Sequence, residues 1–195
     1  KNVHDKHVLA AFVKQRASAL KALLRKTGAL TIRRPWLLEE KPQDKPTRES
    51  IAEQFLAGRG LEIGALHNPL AVTERVSVKY VDRFTKEKLY EHYPELRPHN
   101  LVDVDIVDDG ETLSTIPENT QDFIIANHFL EHCGDPIGTL KNLIRVLNSG
   151  GVIYAAVPDR RHTFDKNRKR TPLDHLIEDH ENGPTGSRRK HFEEW

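Results

Sequence analysis

Two acids and a glycine are the residues of this chain best placed to do chemistry. Leu61 to Ile63 is a short apolar run that carries Glu62 and ends at Gly64. A second β-branched run, Val76, Val78 and Val81, ends in Asp82. Glu62 and Asp82 lie 20 residues apart. The spacing predicts strand, tight turn, helix, strand, with an acid at the carboxyl end of the second strand. At that place in a doubly wound sheet a carboxylate commonly accepts hydrogen bonds from both hydroxyls of a ribose. The residues therefore point first to an adenosine-containing ligand. A dinucleotide would need G-x-G-x-x-G, so that its pyrophosphate meets bare backbone at a helix N-terminus. Here Gly64 is followed by Ala65, Leu66, His67, Asn68 and Pro69. Such a turn suits a smaller zwitterionic ligand better than pyrophosphate, and it argues against a nicotinamide-dependent enzyme.

The surrounding pattern supplies elements to position these acids. Thr47 is placed to cap a helix leading to Gly58. Leu101 to Ile106 alternates apolar and acidic residues like a third strand, followed by the acid-rich turn Val107-Asp108-Asp109-Gly110. Asp122 to Ala126 is more continuously apolar, as expected of a strand covered on both faces. Asn127-His128-Phe129-Leu130-Glu131-His132 follows it directly. Pro136 to Leu147 shows helical spacing, with Ile137, Leu140, Leu143, Ile144 and Leu147 on one face. Asn148-Ser149-Gly150-Gly151 is expected to close that helix through a left-handed glycine. Val152 to Val157 reads as a fifth strand, stopped by Pro158.

Taken in order, LEIG, YVD, the acidic turn, QDFIIANHFLEH and LKNLIRVLNSGGVIYAAVP resemble class I S-adenosylmethionine-dependent methyltransferases. More narrowly they resemble the small-molecule and sugar-modifying branch, and the match covers roughly residues 47 to 158. The resemblance implies an α/β fold with a doubly wound, Rossmann-like, seven-stranded sheet and S-adenosyl-L-methionine across the carboxyl ends of its first four strands. It implies that Glu62 and Gly64, with Ala65 in the same turn, hold the amino-acid end of the cofactor. Asp82 would take the ribose hydroxyls, Asp108 or Asp109 the adenine amino group, and Asn127 and His128 the floor near the sulfonium. Carboxylates suit hydroxyl and amine donors. The family usually has a second glycine near Leu66 and ends with a hairpin of strands six and seven. Only 38 residues follow Val157, and few of them read as strand. The chain starts at Lys1, lacks Met and stops just after a candidate helix start at His191, so truncation is one expectation and a differently closed sheet the other.

Methyl transfer from a sulfonium is an in-line displacement, in which alignment supplies much of the rate. An oxygen acceptor of high pKa also needs a base. Candidates follow the fourth strand, at His128, Glu131 and His132, or the fifth, at Asp159 and His162. The expected acceptor is a small molecule or a carbohydrate-like glycan precursor, methylated at a hydroxyl. A non-catalytic cofactor-binding or interaction domain of a glycan-assembly protein is the alternative.

Composition agrees with one cytoplasmic domain plus an arm. The chain has 195 residues, 37% of them hydrophobic, and no apolar run approaches the ~20 residues of a membrane span. The lone Cys133 excludes an intrachain disulfide and a Cys-rich zinc site, and reads as a small residue at a helix start. The first 50 residues carry 12 Lys and Arg against 5 Asp and Glu. Val8, Leu9, Phe12, Val13, Leu20, Leu23 and Leu24 recur at helical spacing, predicting an amphipathic helix over residues 4 to 27. Such a helix packs over the domain, pairs in a homodimer, or rests peripherally on an anionic membrane. The expected boundaries are 1–46 for the basic helix and linker, 47–158 for the cofactor domain, and 159–195 for a substrate-side lid or a C-terminal segment. In that last segment His175 and Asp179 stand four apart and could share a ligand, yet the spacing matches no metal signature. Its acids nearly balance its bases, so no nucleic-acid footprint is expected.

Overall fold

The computed structural model describes residues 46–193. The basic helix expected over residues 4–27, and its linker as far as Lys45, lie outside the described residues. Thr47 opens the first described element as its type predicts. Its hydroxyl accepts the Ser50 N–H at 3.1 Å, and helix α1 runs Arg48–Phe55. Strands β1 (Gly58–Ile63) and β2 (Val76–Asp82) follow, then helix α2 (Lys86–His92) and strands β3 (Ile106–Val107) and β4 (Gln121–Ile125). Helix α3 (Pro136–Val146), strand β5 (Leu147–Tyr154) and helices α4 (Leu173–Asn182) and α5 (Thr185–Glu193) complete the order. The five strands form one sheet in the order β3-β2-β1-β4-β5. Every neighbouring pair is parallel.

Both faces of this sheet are covered, which is why β1 and β4 read as nearly unbroken apolar runs. Leu61, Ile63, Ile124 and Ala126 pack on one side with Leu143 and Val146 of α3. Phe123 and Ile125 pack on the other with Ala52 of α1 and with Leu56 and Leu70. Because side chains alternate along a strand, Glu62 falls on the α1 side. Gly60 falls there too, against the Phe123 ring, where an added Cβ would collide with that ring and the Phe123 carbonyl. The result is the doubly wound fold expected from the sequence.

Four local expectations are corrected. No helix joins β1 to β2. Residues 64–75 cross instead as an irregular segment, because Pro69 disfavours helix at the preceding residue and the Glu62 carboxylate captures the Leu70 N–H. The third strand is much shorter than Leu101 to Ile106. The Asp105 carboxylate, not a main-chain carbonyl, takes the Tyr80 N–H at 2.8 Å, so regular pairing is confined to Ile106 and Val107. The glycines after α3 do not cap it. Leu147 leaves the helix in extended geometry, β5 begins there, and Gly150 sits inside the strand at φ 83°. Pairing with β4 shifts register at that place, between Gln121 and Phe123. Leu140, expected on the buried face of α3, is 38% exposed, and the helix buries Thr139, Leu143 and Val146.

After β5 the described chain forms short turns and then α4 and α5, the latter beginning at Thr185, well before His191. No strand lies in that part of the described residues. Helix α4 is tied to α3 through His180. Its Nδ1 donates to Asp135 Oδ2 at 2.8 Å, and its Nε2 accepts from Lys141 Nζ at 2.8 Å. Among the described residues no helix is long and apolar enough to cross a membrane.

Candidate functional site

A parallel sheet sends all its strands toward the same edge, so the residues ending β1, β2, β3 and β4 share that edge. Strand order reverses between β1 and β4, and in open α/β sheets ligands bind in the crevice beyond such a reversal. Gly64 leaves β1 at φ 64°, with its N–H on the Val81 carbonyl at 2.9 Å and nothing within 4 Å of an added Cβ. Leu66 takes φ 52°, a conformation that glycine adopts far more cheaply. Leucine thus holds the left-handed geometry close to where a second glycine was expected. The Leu66 carbonyl is anchored by the Val102 N–H at 2.8 Å.

Glu62 is only 2% exposed. Both its oxygens accept the Leu70 N–H, at 3.0 and 3.2 Å, so the acid clamps the turn beneath the site. Burial pushes its carboxyl above the usual range, opposed by the Leu70 N–H and by the charge of Arg48. Asp82 ends β2 as expected. Its Oδ1 takes the Arg83 N–H at 2.7 Å, and burial again raises the carboxyl above its ordinary value.

The two acids of the turn after β3 separate by environment. Asp108 is buried and fully engaged. Its oxygens accept the Asp109 N–H at 2.7 Å, the Ser114 hydroxyl at 3.0 Å, the Thr115 N–H at 2.8 Å and the Thr115 hydroxyl at 2.7 Å. Burial works to raise its carboxyl, but these bonds outweigh it and hold the group below the usual range. Asp109 is exposed, and among the described residues its carboxylate accepts the Glu111 N–H alone, through Oδ1 at 2.8 Å. Asp108→Ala is therefore expected to lower stability by about 2 kcal/mol, the scale for hydrogen bonds to a charged acceptor. For a domain of this size that is a fall in Tm of roughly 4–8 °C. Because the folded value is depressed, this contribution is complete at neutral pH and is lost on acidification through the carboxylate range. Asp109→Ala should leave Tm unchanged. Thermal unfolding of the two variants decides, and equal Tm values would mean that Asp108 does not hold the turn.

Asn127 and His128 leave β4 together. The Asn127 side-chain oxygen accepts the Ala156 N–H at 3.2 Å, and the His128 N–H donates to the Ala156 carbonyl at 2.8 Å. These bonds lock the end of β4 to the chain leaving β5. The Asn127 side-chain nitrogen is buried with no partner among the described residues. His128 adopts φ 51°, and strain of this kind in a non-glycine residue often marks a working site. Its Nδ1 meets Glu131 Oε1 at 3.2 Å, and the imidazole is 60% exposed.

The other candidates differ in their surroundings. His132 lies in the short turn Leu130–His132, exposed. Asp159 is gripped by Arg161, whose side chain reaches its Oδ2 at 2.6 Å and whose N–H reaches its Oδ1 at 2.9 Å. The Arg161 guanidinium holds the Asp159 carboxyl far below the carboxylate range, which makes it a poor proton acceptor. His162 lies in the following turn, also exposed. Burial pushes the Cys133 thiol up to about 11, so it is no nucleophile. His175 and Asp179 do face each other, at 3.3 Å, with Asp179 buried.

Three site-shaping groups were not singled out from the sequence. The Leu70 N–H is backbone, invisible to a reading by residue type. Glu111 accepts the Gly134 and Asp135 N–H groups, at 3.0 and 3.3 Å, and so fixes the turn before α3. Asp135 caps α3 through the Gly138 N–H at 2.8 Å, and that cap was readable from Asp-Pro followed by Gly138.

The sequence matches a family described as a methyltransferase domain, over residues 38–195. No curated protein matches the chain. Among solved structures, a S-adenosylmethionine-dependent methyltransferase from Thermotoga maritima, described as a possible histamine N-methyltransferase, is similar at 21% identity and a TM-score of 0.41. That similarity covers 66% of this chain and 64% of the other, so the chain spans less than two thirds of that protein's length. The trans-methyltransferase CalH, in complex with SAH, is similar at 20% identity and a TM-score of 0.37, over 53% of this chain and 34% of that one. A S-adenosyl-L-methionine-dependent methyltransferase from Methanococcus maripaludis is similar at 18% identity and 0.36, over 52% and 49%.

Proposed function

Because the chain belongs to the methyltransferase-domain family over residues 38–195, we propose that it transfers the sulfonium methyl group of S-adenosylmethionine to a hydroxyl of a small, carbohydrate-like acceptor. The observation that carries the cofactor half is the strand order with its acids. Glu62 at β1 and Asp82 at β2 reach one edge, Asp109 follows β3, and Asn127 and His128 follow β4, beside the strand reversal. Asp82 takes the ribose hydroxyls. Asp109, with an acceptor oxygen to spare, takes the adenine amine in preference to the saturated Asp108.

The acceptor half rests on His128. With Nδ1–H given to Glu131, the lone pair stands on Nε2, the tautomer a general base needs. When bound, S-adenosylmethionine would supply its methyl carbon to the acceptor oxygen as the carbon–sulfur bond breaks with its electron pair on sulfur, and His128 Nε2 would take the hydroxyl proton. The rest of the rate comes from alignment. The sequence order that resembles the sugar-modifying branch supports the acceptor class.

Methyl-labelled S-adenosylmethionine, incubated with the full-length chain and separate pools of nucleotide sugars, lipid-linked sugars, free amines and carboxylic acids, tests this directly. Label is expected in the sugars as an alkali-stable methyl ether. Label confined to amines or to alkali-labile esters would overturn the hydroxyl assignment.

A further inference from the structure

We propose that residues 159–170 bind a phosphate group of the methyl acceptor, which makes that acceptor a phosphate-bearing sugar rather than a neutral one. The inference deepens the acceptor half of the proposed function and rests on that reading. Charge sets the problem. Residues 46–158 carry 17 Asp and Glu against 10 Lys and Arg. Glu62, Asp82, Asp108 and Asp109 all end or follow strands at the functional edge. A phosphate approaching that edge meets net repulsion unless cations stand beside it. The next 12 residues, 159–170, reverse the sign, with six Lys and Arg against two Asp. Over residues 171–193 the balance turns acidic again, five acids against three bases. The positive charge is thus confined to one short segment.

The chain enters this segment directly from the functional edge. Strand β5 ends at Tyr154, and Ala156 then bonds both residues that leave β4. Its N–H donates to the Asn127 side-chain oxygen at 3.2 Å, and its carbonyl accepts the His128 N–H at 2.8 Å. Arg161 is five residues beyond Ala156, a span of at most about 18 Å. The cations therefore begin within reach of an acceptor whose hydroxyl lies at His128. Two of the six shape the segment itself. Arg160 donates to the Lys166 carbonyl at 2.8 Å, and Arg161 grips Asp159. These bonds draw the chain into successive turns, Arg160–His162 and Phe164–Asn167. Lys166, Lys169 and Arg170 are exposed on that frame. Phe164 lies in the same turns at 75% exposure, a large apolar ring that the core does not take up. An exposed ring among cations suits a sugar phosphate or a nucleotide, with a flat ring to stack on and ammonium and guanidinium groups to pair with phosphate oxygens.

Calorimetry on the full-length chain tests this, with S-adenosylhomocysteine titrated first and then kept present so that the cofactor edge is filled. The probes are uridine diphosphate, inorganic pyrophosphate and, as the uncharged control, uridine. A variant combining Lys166→Gln, Lys169→Gln and Arg170→Gln is expected to weaken uridine diphosphate and pyrophosphate by about 10–100-fold, the scale of three exposed charge contacts. Uridine should bind neither protein detectably. A second triple variant, Lys79→Gln, Lys88→Gln and Arg97→Gln, removes the same charge from exposed positions elsewhere and should stay within twofold of the unmodified protein. That comparison separates a site from net charge. Co-sedimentation with vesicles of phosphatidylcholine and phosphatidylglycerol identifies the source of the phosphate. Vesicle binding that falls in the first variant alone, without binding of uridine diphosphate, assigns the phosphate to a lipid carrier, whereas binding of uridine diphosphate assigns it to a soluble nucleotide-linked sugar. Equal affinity of the two triple variants for every phosphate probe, or no binding of any such probe by the unmodified protein, would overturn the proposal. Failure of the first titration, with S-adenosylhomocysteine alone, would instead sink the methyl-transfer reading on which it rests.

Discussion

Replacing His128 by alanine is expected to cut kcat by about 10²–10³-fold, the usual worth of a positioned general base. Tm should hold, because the residue's structural bond is made by its backbone N–H to Ala156, which alanine keeps, and S-adenosylhomocysteine affinity should fall far less than kcat. Three features single His128 out among the candidates. Its imidazole is open to solvent, its Nδ1 is occupied by Glu131, and its backbone just past β4 is held in a left-handed conformation. Glu131→Gln should cost much less, because an amide oxygen still accepts from Nδ1 and only the charge that steadies the imidazolium is lost. Asp159 offers the useful contrast. Its grip on Arg161 makes it a weak base, so Asp159→Asn should reduce turnover only slightly. His132→Ala and His162→Ala should keep kcat within threefold of the unmodified rate. A His128→Ala enzyme within threefold of the unmodified rate, beside a collapse in any of the other three, would move the base elsewhere.

The parts of this fold that sequence could reveal are those decided by local chemistry. Thr47 announced α1, and the apolar runs at 61–63 and 122–126 announced β1 and β4, because both faces of those strands are buried. The spacing of acids at 62 and 82 placed both at one edge before any geometry was known. What sequence missed was decided by partners distant along the chain. Residues 64–75 contain enough apolar side chains to suggest a crossover helix, but Glu62 takes a backbone N–H eight residues away and Pro69 breaks the pattern. Leu101 to Ile106 alternates like a strand, yet the Asp105 side chain occupies the bond that a longer strand would have made. Asn148 to Gly151 has the composition of a helix stop, and β4 recruits it as strand through a register shift.

The two acids proposed for the adenine contact show the same limit. Asp108 and Asp109 are adjacent and chemically identical, so no pattern could choose between them. Ser114 and Thr115, six and seven residues on, make the choice by saturating Asp108.

Asp82→Ala is expected to weaken S-adenosylhomocysteine about 100-fold, since two hydroxyls lose one charged acceptor at roughly 1.5 kcal/mol each. The loss should come without unfolding, and the sign of the Asp82 shift explains why. Burial raises its folded-state carboxyl above the unfolded value. Between the two values the folded protein binds more protons than the unfolded chain, so stability falls as pH rises through that window. At neutral pH the ionised Asp82 is therefore a cost to the fold, relieved only in part by the Arg83 N–H. Asp82→Ala removes that cost and should keep or raise Tm while binding is lost, the trade expected where a site residue is held against the preference of the fold. The same shift predicts that cofactor affinity declines on acidification sooner than an ordinary aspartate would allow, because the protonated carboxyl has given up acceptor capacity. Calorimetry across pH, with NAD as a control ligand, reads both effects. Undiminished affinity in a folded Asp82→Ala protein would remove Asp82 from the ribose contact. A variant that lost binding and Tm together would make Asp82 a structural acid, and the ribose would need another acceptor on the same edge.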